Sequence, residues 1–584
     1  MTDYCAPVQE IGFLLKEIMQ LDAIARLPGF EEVSPDLVDA ILEEGGRYFA
    51  EVFAPTNQQA DIEGTRLENM AVVTAPVLDG LYGSFREAGW PSLTGDPAYG
   101  GQGMPHLVGF AVDELVQSSN MSFSLLPMLT MGVITALERF GSESQKKFYL
   151  PKLISGEWTG TMNLTESQAG SDLAAVRTRA LPQGDHYLIK GQKTFISWGD
   201  HSYTDNIVHL VLARTPDAPE GVKGISLFVV PKYLIEADGQ PGQRNDVYPV
   251  GVEDKLGIHA SPTCVMTYGD NEGAVGYLIG EENQGLVYMF SMMNHARLAV
   301  GLQGVSISER SYQQAVNYAR EREQGGLLIS HPDVRRMLMT MKALTEGGRA
   351  LVYSALMHWD MGAHGTDESE CEAHQRRVEL LTPLVKGWCT EIANEVTSLG
   401  VQVHGGMGYV EETGMAQYLR DARIMAIYEG SNGIQAMDLV GRKLLRDRGA
   451  AAQELLQDIE KDIAACRDQS LDNLADSMTR CVERCREAIT CLFEGAGADK
   501  DLPGSIAFNL LMLMGTTVAA GLMVKSATVA TSSLASDDEQ RGFLEAKICT
   551  AHFFVEQIAP RTEAYLLAIL SGSKSTMMLR DDQW

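Results

Sequence analysis

The spacing of apolar residues changes period twice along this chain, and the order of those changes leaves few architectures open. From Ile11 to about Trp158 the spacing is helical. Pro35 opens one stretch (Leu37, Ile41, Phe49, Val52) and Pro55 closes it. Leu115 to Leu137 is rich in Leu and Met and reads as core helix, because Met fills irregular interior gaps. Near Thr159 the character changes. HYLIKGQKTFIS, NIVHLVLART, GISLFVVPK and CVMTYGD are β-branched or aromatic runs bounded by Gly, Pro, Asp and Asn, and they predict strands. After Gly285 the helical period returns, with Val378, Leu381, Leu384, Trp388, Ile392, Val396 and Leu399 on one face. Helices, then strands, then helices argue for separate layers rather than a βαβ alternation. The run PAYGGQGMPHLVG therefore reads as a loop before a helix, since a dinucleotide-binding turn needs a strand before it. The expected fold class is mainly α with a central β domain of sandwich or barrel type. Its parts are a helical domain over 1–159 (with an extension over 1–35), a β domain over 160–282, a four-helix bundle over 283–444 and a further helical domain over 445–584.

Composition narrows the partners. The 584 residues suffice for several domains. Lys plus Arg number 47 against 77 Asp plus Glu, a formal charge of -30. Nucleic acid and anionic bilayers both call for a cationic surface, so neither is expected as a partner. The nine cysteines are odd in number and scattered, which is no disulfide framework. Cys481 and Cys485 lie one helical turn apart and read as core residues, and no second pair stands nearby to complete a metal site. The N-terminus, MTDYCAPVQE, lacks the basic and apolar regions of a signal peptide, and the scattered cysteines make a reducing cytosol the expected setting. Ser505 to Val524 is almost long enough to cross a bilayer. Being apolar all round, it also suits the interior of a bundle, which is the reading adopted, with no integral membrane segment.

Three segments carry chemistry. Residues 157–173, EWTGTMNLTESQAGSDL, crowd hydroxyls (Thr161, Thr165, Ser167, Ser171) around a flexible Ala169-Gly170 pair. Such a segment presents N–H groups and hydroxyls to an anion or a heterocycle. In GQKTFISWGD, residues 191–200, alternation puts Phe195 and Ser197 on one strand face. That pair suits either a flat cofactor or an ordinary core Phe. In the third segment, residues 420–444, Glu429 follows the apolar run Ile424 to Tyr428 and precedes Gly430 and a Ser-Asn-Gly break. A carboxylate at the mouth of an apolar pocket is desolvated, which raises its pKa toward that of a general base working near neutrality. A helix-capping or solvated Glu is the plainer alternative.

Together these segments resemble the acyl-CoA dehydrogenase family over about Leu81 to Lys443. The family's T-E-x-x-A-G-S-D stands here as TESQAGSD (Thr165–Asp172), its I-Y-E-G at Ile427–Gly430 and its G-G-x-G turn as VHGGMGY (Val403–Tyr409). The resemblance implies FAD as cofactor and the helical, β and bundle domains of that fold. It places Met162, Leu164, Thr165, Gly170 and Ser171 on the flavin, with Ser171 also touching CoA. Phe195, Ile196 and Ser197 would lie against the ring, where the family often has Trp and Thr. Ser431 would face the flavin, and Asn294, Arg297, Tyr428 and Gly430 the substrate. Arg322, Gln402, Gly405 and Gly406 would reach the FAD of a neighbouring subunit, which implies at least a dimer. Glu429 becomes the base that takes the α-proton of an acyl-CoA thioester, with electrons passing to electron-transfer flavoprotein.

The chain departs from the pattern after Arg322, where REQGGLLISHP lacks the usual aromatic and is one residue short, and at Gly433, where a Gln is common. The N-terminal extension, the tail, and the runs GVKGISLFVVPK, LGIHASPTCVMTY and MDLVGRKL resemble the large bacterial subgroup that includes 3-methylthiopropanoyl-CoA dehydrogenases. That subgroup also holds enzymes for straight-chain acyl-CoAs, so the resemblance leaves the acyl chain open. An acyl-CoA oxidase and a non-catalytic acyl-CoA-binding scaffold are the rival readings. A DNA-associated relative would need a basic tail, which residues 445–584 do not supply.

Overall fold

The described residues of the computed structural model are 4–236, 238–534 and 539–584. They form two compact units, one of residues 48–104 and 119–299 and the other of the segment up to Arg47, residues 105–118 and residues 300–584.

The four expected strand runs form in the first unit, as His186–Ser197, Ile207–Ala213, Ser226–Pro231 and Thr263–Tyr268. They join Thr159–Asn163, Arg179–Gln183, Val247–Val252 and Ala274–Leu278 in an 8-stranded sheet. The pairing is antiparallel except that Thr159–Asn163 runs parallel to Ile207–Ala213. Ile207–Ala213 and Ser226–Pro231 are buried along their whole length, as sheet covered on both faces must be. Ile189, Ile196, Val211, Phe228, Cys264 and Met266 share one apolar core. Strand Thr159–Asn163 lies against helix Met121–Phe140. Gly160 permits that approach, because a Cβ there would stand 2.6 Å from Val133 Cγ2. The apolar stretch at Leu115–Leu137 is interrupted: Asn120 caps Met121–Phe140 by accepting from Phe123 N, so two helices stand where one continuous run was expected. The hairpin Arg66–Glu68/Ala71–Val73, inside the stretch read as helical, is a correction to the sequence reading. PAYGGQGMPHLVG is a loop with one short 3-10 turn, followed by helix His106–Ser119.

The second unit is built on long helices. Pro332–His364 and Glu368–His404 pack together, and Leu502–Ser533 lies against both. Ala450–Asp468, Asp472–Gly495, Arg541–Phe553 and Arg561–Leu570 surround Leu502–Ser533, which explains why that helix is apolar on every side. Met121–Phe140 and Leu502–Ser533 are long and apolar enough to span a bilayer, yet 78% and 83% of their most apolar windows are buried in the fold. Cys481 and Cys485 are buried, as their spacing predicted.

Candidate active site

The expected flavin-binding residues of the first unit meet at the end of strand His186–Ser197. Thr194 N donates to Thr165 O at 2.9 Å, and Thr161 Oγ1 donates to Ser197 O at 2.8 Å. These bonds hold residues 161–171 beside 193–197. Glu166 and Ala169 exchange backbone bonds and close the TESQAGSD turn, leaving Gly170 and Ser171 exposed. Asp172 caps the next turn by accepting from Ala174 N.

A buried ion pair ties this loop down, and sequence reasoning did not identify it. Lys193 Nζ donates to Glu166 Oε1 at 2.8 Å and to Leu164 O at 3.0 Å. Thr178 N and Oγ1 and Arg177 N also donate to the Glu166 carboxylate. Burial alone would drive Glu166 up, but Lys193 and these donors outweigh it and hold the carboxyl at about 2. Burial pulls Lys193 down to about 8 against the attraction of Glu166.

The strand bulges at this point, since its register against Thr263–Tyr268 shifts between Lys193 and Ile196. Phe195 sits in the bulge at φ 59° and is 64% exposed. Left-handed backbone costs a non-glycine residue on the order of 1–3 kcal/mol, and here it holds an aromatic ring outward. Met162 and Ile196 turn their side chains into the interior, so only their backbone remains for a ligand. An outward ring, an adjacent serine and an open Gly170-Ser171 turn fit the stacking and hydrogen bonding that a flavin requires. Asn294 and Arg297 lie in this unit, three residues apart on helix Gly285–Glu321, with Asn294 half-buried and Arg297 buried.

The second unit carries Glu429. The short helix Arg423–Ala426 ends in a turn where Tyr428 N donates to Ile424 O at 3.1 Å. Glu429 follows at φ 56° and Gly430 at φ 86°, after which Ser431 caps helix Asn432–Asp438 by accepting from Ile434 N. A Glu in the left-handed region is uncommon, and Glu429 is half-exposed there, while Met425 and Ala426 earlier in the segment are buried. Tyr428 Oη donates to Gln303 Oε1. Burial, reinforced by the charge of Glu429, pushes that phenol far up, so it stays protonated. Sequence reasoning also missed Asn432 and Gln435, which brace this turn from behind. Asn432 Nδ2 donates to Glu391 Oε1 at 2.7 Å, and Gln435 Nε2 donates to Gly430 O at 3.1 Å.

Arg322, Gln402, Gly405 and Gly406 are exposed in the same unit. Arg322 O accepts from Leu328 N at 2.8 Å, so the shortened loop still closes in an ordered turn. Gly405 needs its φ of 60° to end helix Glu368–His404, whereas a Cβ at Gly406 would meet nothing within 4 Å. The fold does not demand glycine at Gly406, and its bare backbone offers close approach to an outside group. A guanidinium and exposed glycine backbone are donors of the kind that a pyrophosphate and adenosine need.

Comparison with known proteins agrees with this layout. Family models match in order: "Acyl-CoA dehydrogenase, N-terminal domain" at residues 39–157, "middle domain" at 161–270 and "C-terminal domain" at 283–445. "Acetyl-CoA dehydrogenase C-terminal like" follows at 455–580. The chain is 48% identical over 575 residues to 3-methylmercaptopropionyl-CoA dehydrogenase of Ruegeria pomeroyi, which covers 95% of this chain and 96% of the relative. It is 31% identical over 604 residues to a butyryl-CoA dehydrogenase of Syntrophomonas wolfei, covering 99% of each. The crystal structure of a Bacillus anthracis acyl-CoA dehydrogenase complexed with FAD shares the fold, with TM-score 0.74 and 21% identity over 94% of this chain and 90% of that one. With three family domains in sequence and a relative matched along nearly its whole length, this chain belongs to the acyl-CoA dehydrogenase family of FAD-dependent enzymes.

Proposed function

We propose that the enzyme oxidises 3-methylthiopropanoyl-CoA, or a short acyl-CoA close to it, to the trans-2-enoyl thioester, with Glu429 as base. The observation that carries the role of Glu429 is its rigid placement, a carboxylate at φ 56° in a turn braced from behind. The support for the acyl group is the 48% identity to the Ruegeria enzyme. Straight-chain substrates are the second reading, favoured by the butyryl-CoA dehydrogenase relatives.

The α-proton of a thioester is weakly acidic, so the base needs help. The Glu429 carboxylate takes the proton while donors aimed at the thioester oxygen hold the developing enolate. In this reading the Glu429 N–H is one such donor. Tyr428, the neighbour of the base in sequence and kept neutral, does not compete for the proton. FAD, when bound, supplies the redox chemistry by accepting the β-hydrogen with its electron pair. Residues 161–171 and 193–197 would hold its ring, and Arg322, Gln402, Gly405 and Gly406 the distal half of a neighbour's FAD. Electron-transfer flavoprotein would be the electron acceptor. All nine cysteines are free, which supports a reducing, cytoplasmic setting.

Anaerobic bleaching of the flavin by acyl-CoAs from butanoyl to hexadecanoyl, together with 3-methylthiopropanoyl-CoA, tests the substrate. Fastest bleaching by the thioether substrate is expected. A preference for long chains contradicts the short-chain reading, and rapid oxygen consumption during turnover points to an oxidase. A protein that binds no FAD points to a scaffold.

A further inference from the structure

We propose that Gln435 is a positioning residue for Glu429, its buried amide fixing the direction in which the base points. The inference rests on the reading of Glu429 as the base. Glu429 and Gly430 are consecutive left-handed residues, at φ 56° and 86°. The Gln435 Nε2 donates to both of their carbonyls, at 3.4 Å to Glu429 and 3.1 Å to Gly430. One amide thus holds the peptide unit that follows the base and the unit after it, fixing the turn on the C-terminal side of the Glu429 Cα. Gln435 is fully buried (0% exposed), so water does not replace that bond while the fold is closed.

The amide can act as a clamp because its own helix is immobilised. Asn432, one turn earlier, receives a bond from Lys386 Nζ at 2.9 Å. It donates to Thr390 Oγ1 at 2.9 Å and to Glu391 Oε1 at 2.7 Å. These bonds fasten helix Asn432–Asp438 to helix Glu368–His404, and Leu502–Ser533 packs against it as well. A left-handed Glu is costly to hold, and an unrestrained turn relaxes toward other backbone conformations. Displacing a reacting group by about 1 Å costs on the order of 100-fold in rate. The bond from Gln435 therefore governs the rate of proton transfer rather than the binding of cofactor or substrate.

The test uses FAD-loaded enzyme and three variants. Gln435→Met keeps the volume and removes the donor, Gln435→His keeps a ring N–H, and Glu429→Gln controls for the base. Two rates are read: anaerobic flavin reduction at saturating acyl-CoA, and exchange of acetyl-CoA α-protons in deuterium oxide. Acetyl-CoA has no β-carbon, so its exchange reports only C–H cleavage to the base and return of a deuteron. Gln435→Met is expected to slow both rates by about 10- to 100-fold, with FAD content unchanged and substrate affinity within about threefold. Gln435→His is expected to recover most of the loss. If Glu429→Gln abolishes both rates while Gln435→Met stays within about twofold of wild type, this inference is wrong and the base assignment stands. If Glu429→Gln exchanges protons normally, the base assignment itself is wrong. Should Gln435→Met fail to bind FAD, Gln435→His decides: near-normal rates support the clamp, and slow rates at full FAD content refute it.

Discussion

Phe195 and Glu429, each a candidate site residue in its own unit, are both held in left-handed backbone, at φ 59° and 56°. Their identities were legible in sequence because the motifs around them are distinctive. Their backbone strain was not, since neither residue type signals a left-handed turn. The Glu166–Lys193 pair was hidden for another reason. Both residues lie inside segments singled out for chemistry, but a charged residue in such a segment normally reads as solvated, and only the fold shows that Lys193 is buried. The pair is expected to give the proposed flavin-binding loop a pH dependence. Glu166, held at about 2, stays charged through the working range, whereas Lys193, lowered to about 8, loses its proton above that pH. The carbonyl of Leu164 then loses a charged donor and Glu166 its partner. FAD affinity is expected to weaken by about tenfold between pH 7 and 9. Lys193→Met should bind FAD weakly at both pH values, and equilibrium titration checks this. A flat pH dependence in wild type contradicts it.

At the scale of elements, strand runs and long helices were readable because their periods are strong and their ends carry Gly, Pro and Asn. The hairpin at Arg66–Val73 escaped for lack of such a signal. Its turn is Asn69-Met70, both at positive φ, and Met is not a residue that advertises a hairpin. Its Val72 sits in the core of the β-sheet. Helix Leu502–Ser533 was readable as a buried helix but not in its docking. Gly515 lets Trp388 lie against it, since a Cβ there would stand 2.6 Å from Trp388 Cγ. Trp388 Nε1 also donates to Thr516 Oγ1 at 3.1 Å. Gly515→Val is therefore expected to destabilise the protein by about 1–3 kcal/mol through overpacking, seen as a lower Tm. An unchanged Tm would mean that the two helices part without cost.

Across the helical unit, the two ends of the chain meet on one buried lysine. Lys547 Nζ lies 2.6 Å from Glu10 Oε1 and 2.8 Å from Glu346 Oε2. Glu346 belongs to helix Pro332–His364, so the N-terminal extension, the bundle and the tail share one charge network. Burial would raise Glu346, but Lys547 and Lys342 hold it at about 2. Its contribution to stability is full above the ordinary carboxylate range and fades as pH falls toward 2. The extension and tail are thus integral to the bundle, as sequence spacing alone does not reveal. Tyr409, Met407 and Val410 stand exposed beside Gly406 and suit the subunit contact of the proposed dimer. Light scattering should give at least two subunits; a monomer contradicts that assembly. The central claim, that Glu429 takes the α-proton, is tested most directly by anaerobic flavin reduction in wild type and Glu429→Gln under saturating 3-methylthiopropanoyl-CoA. The account predicts equal FAD content and a loss of at least about 1,000-fold in the reduction rate of the variant. Reduction within about tenfold of wild type would contradict it.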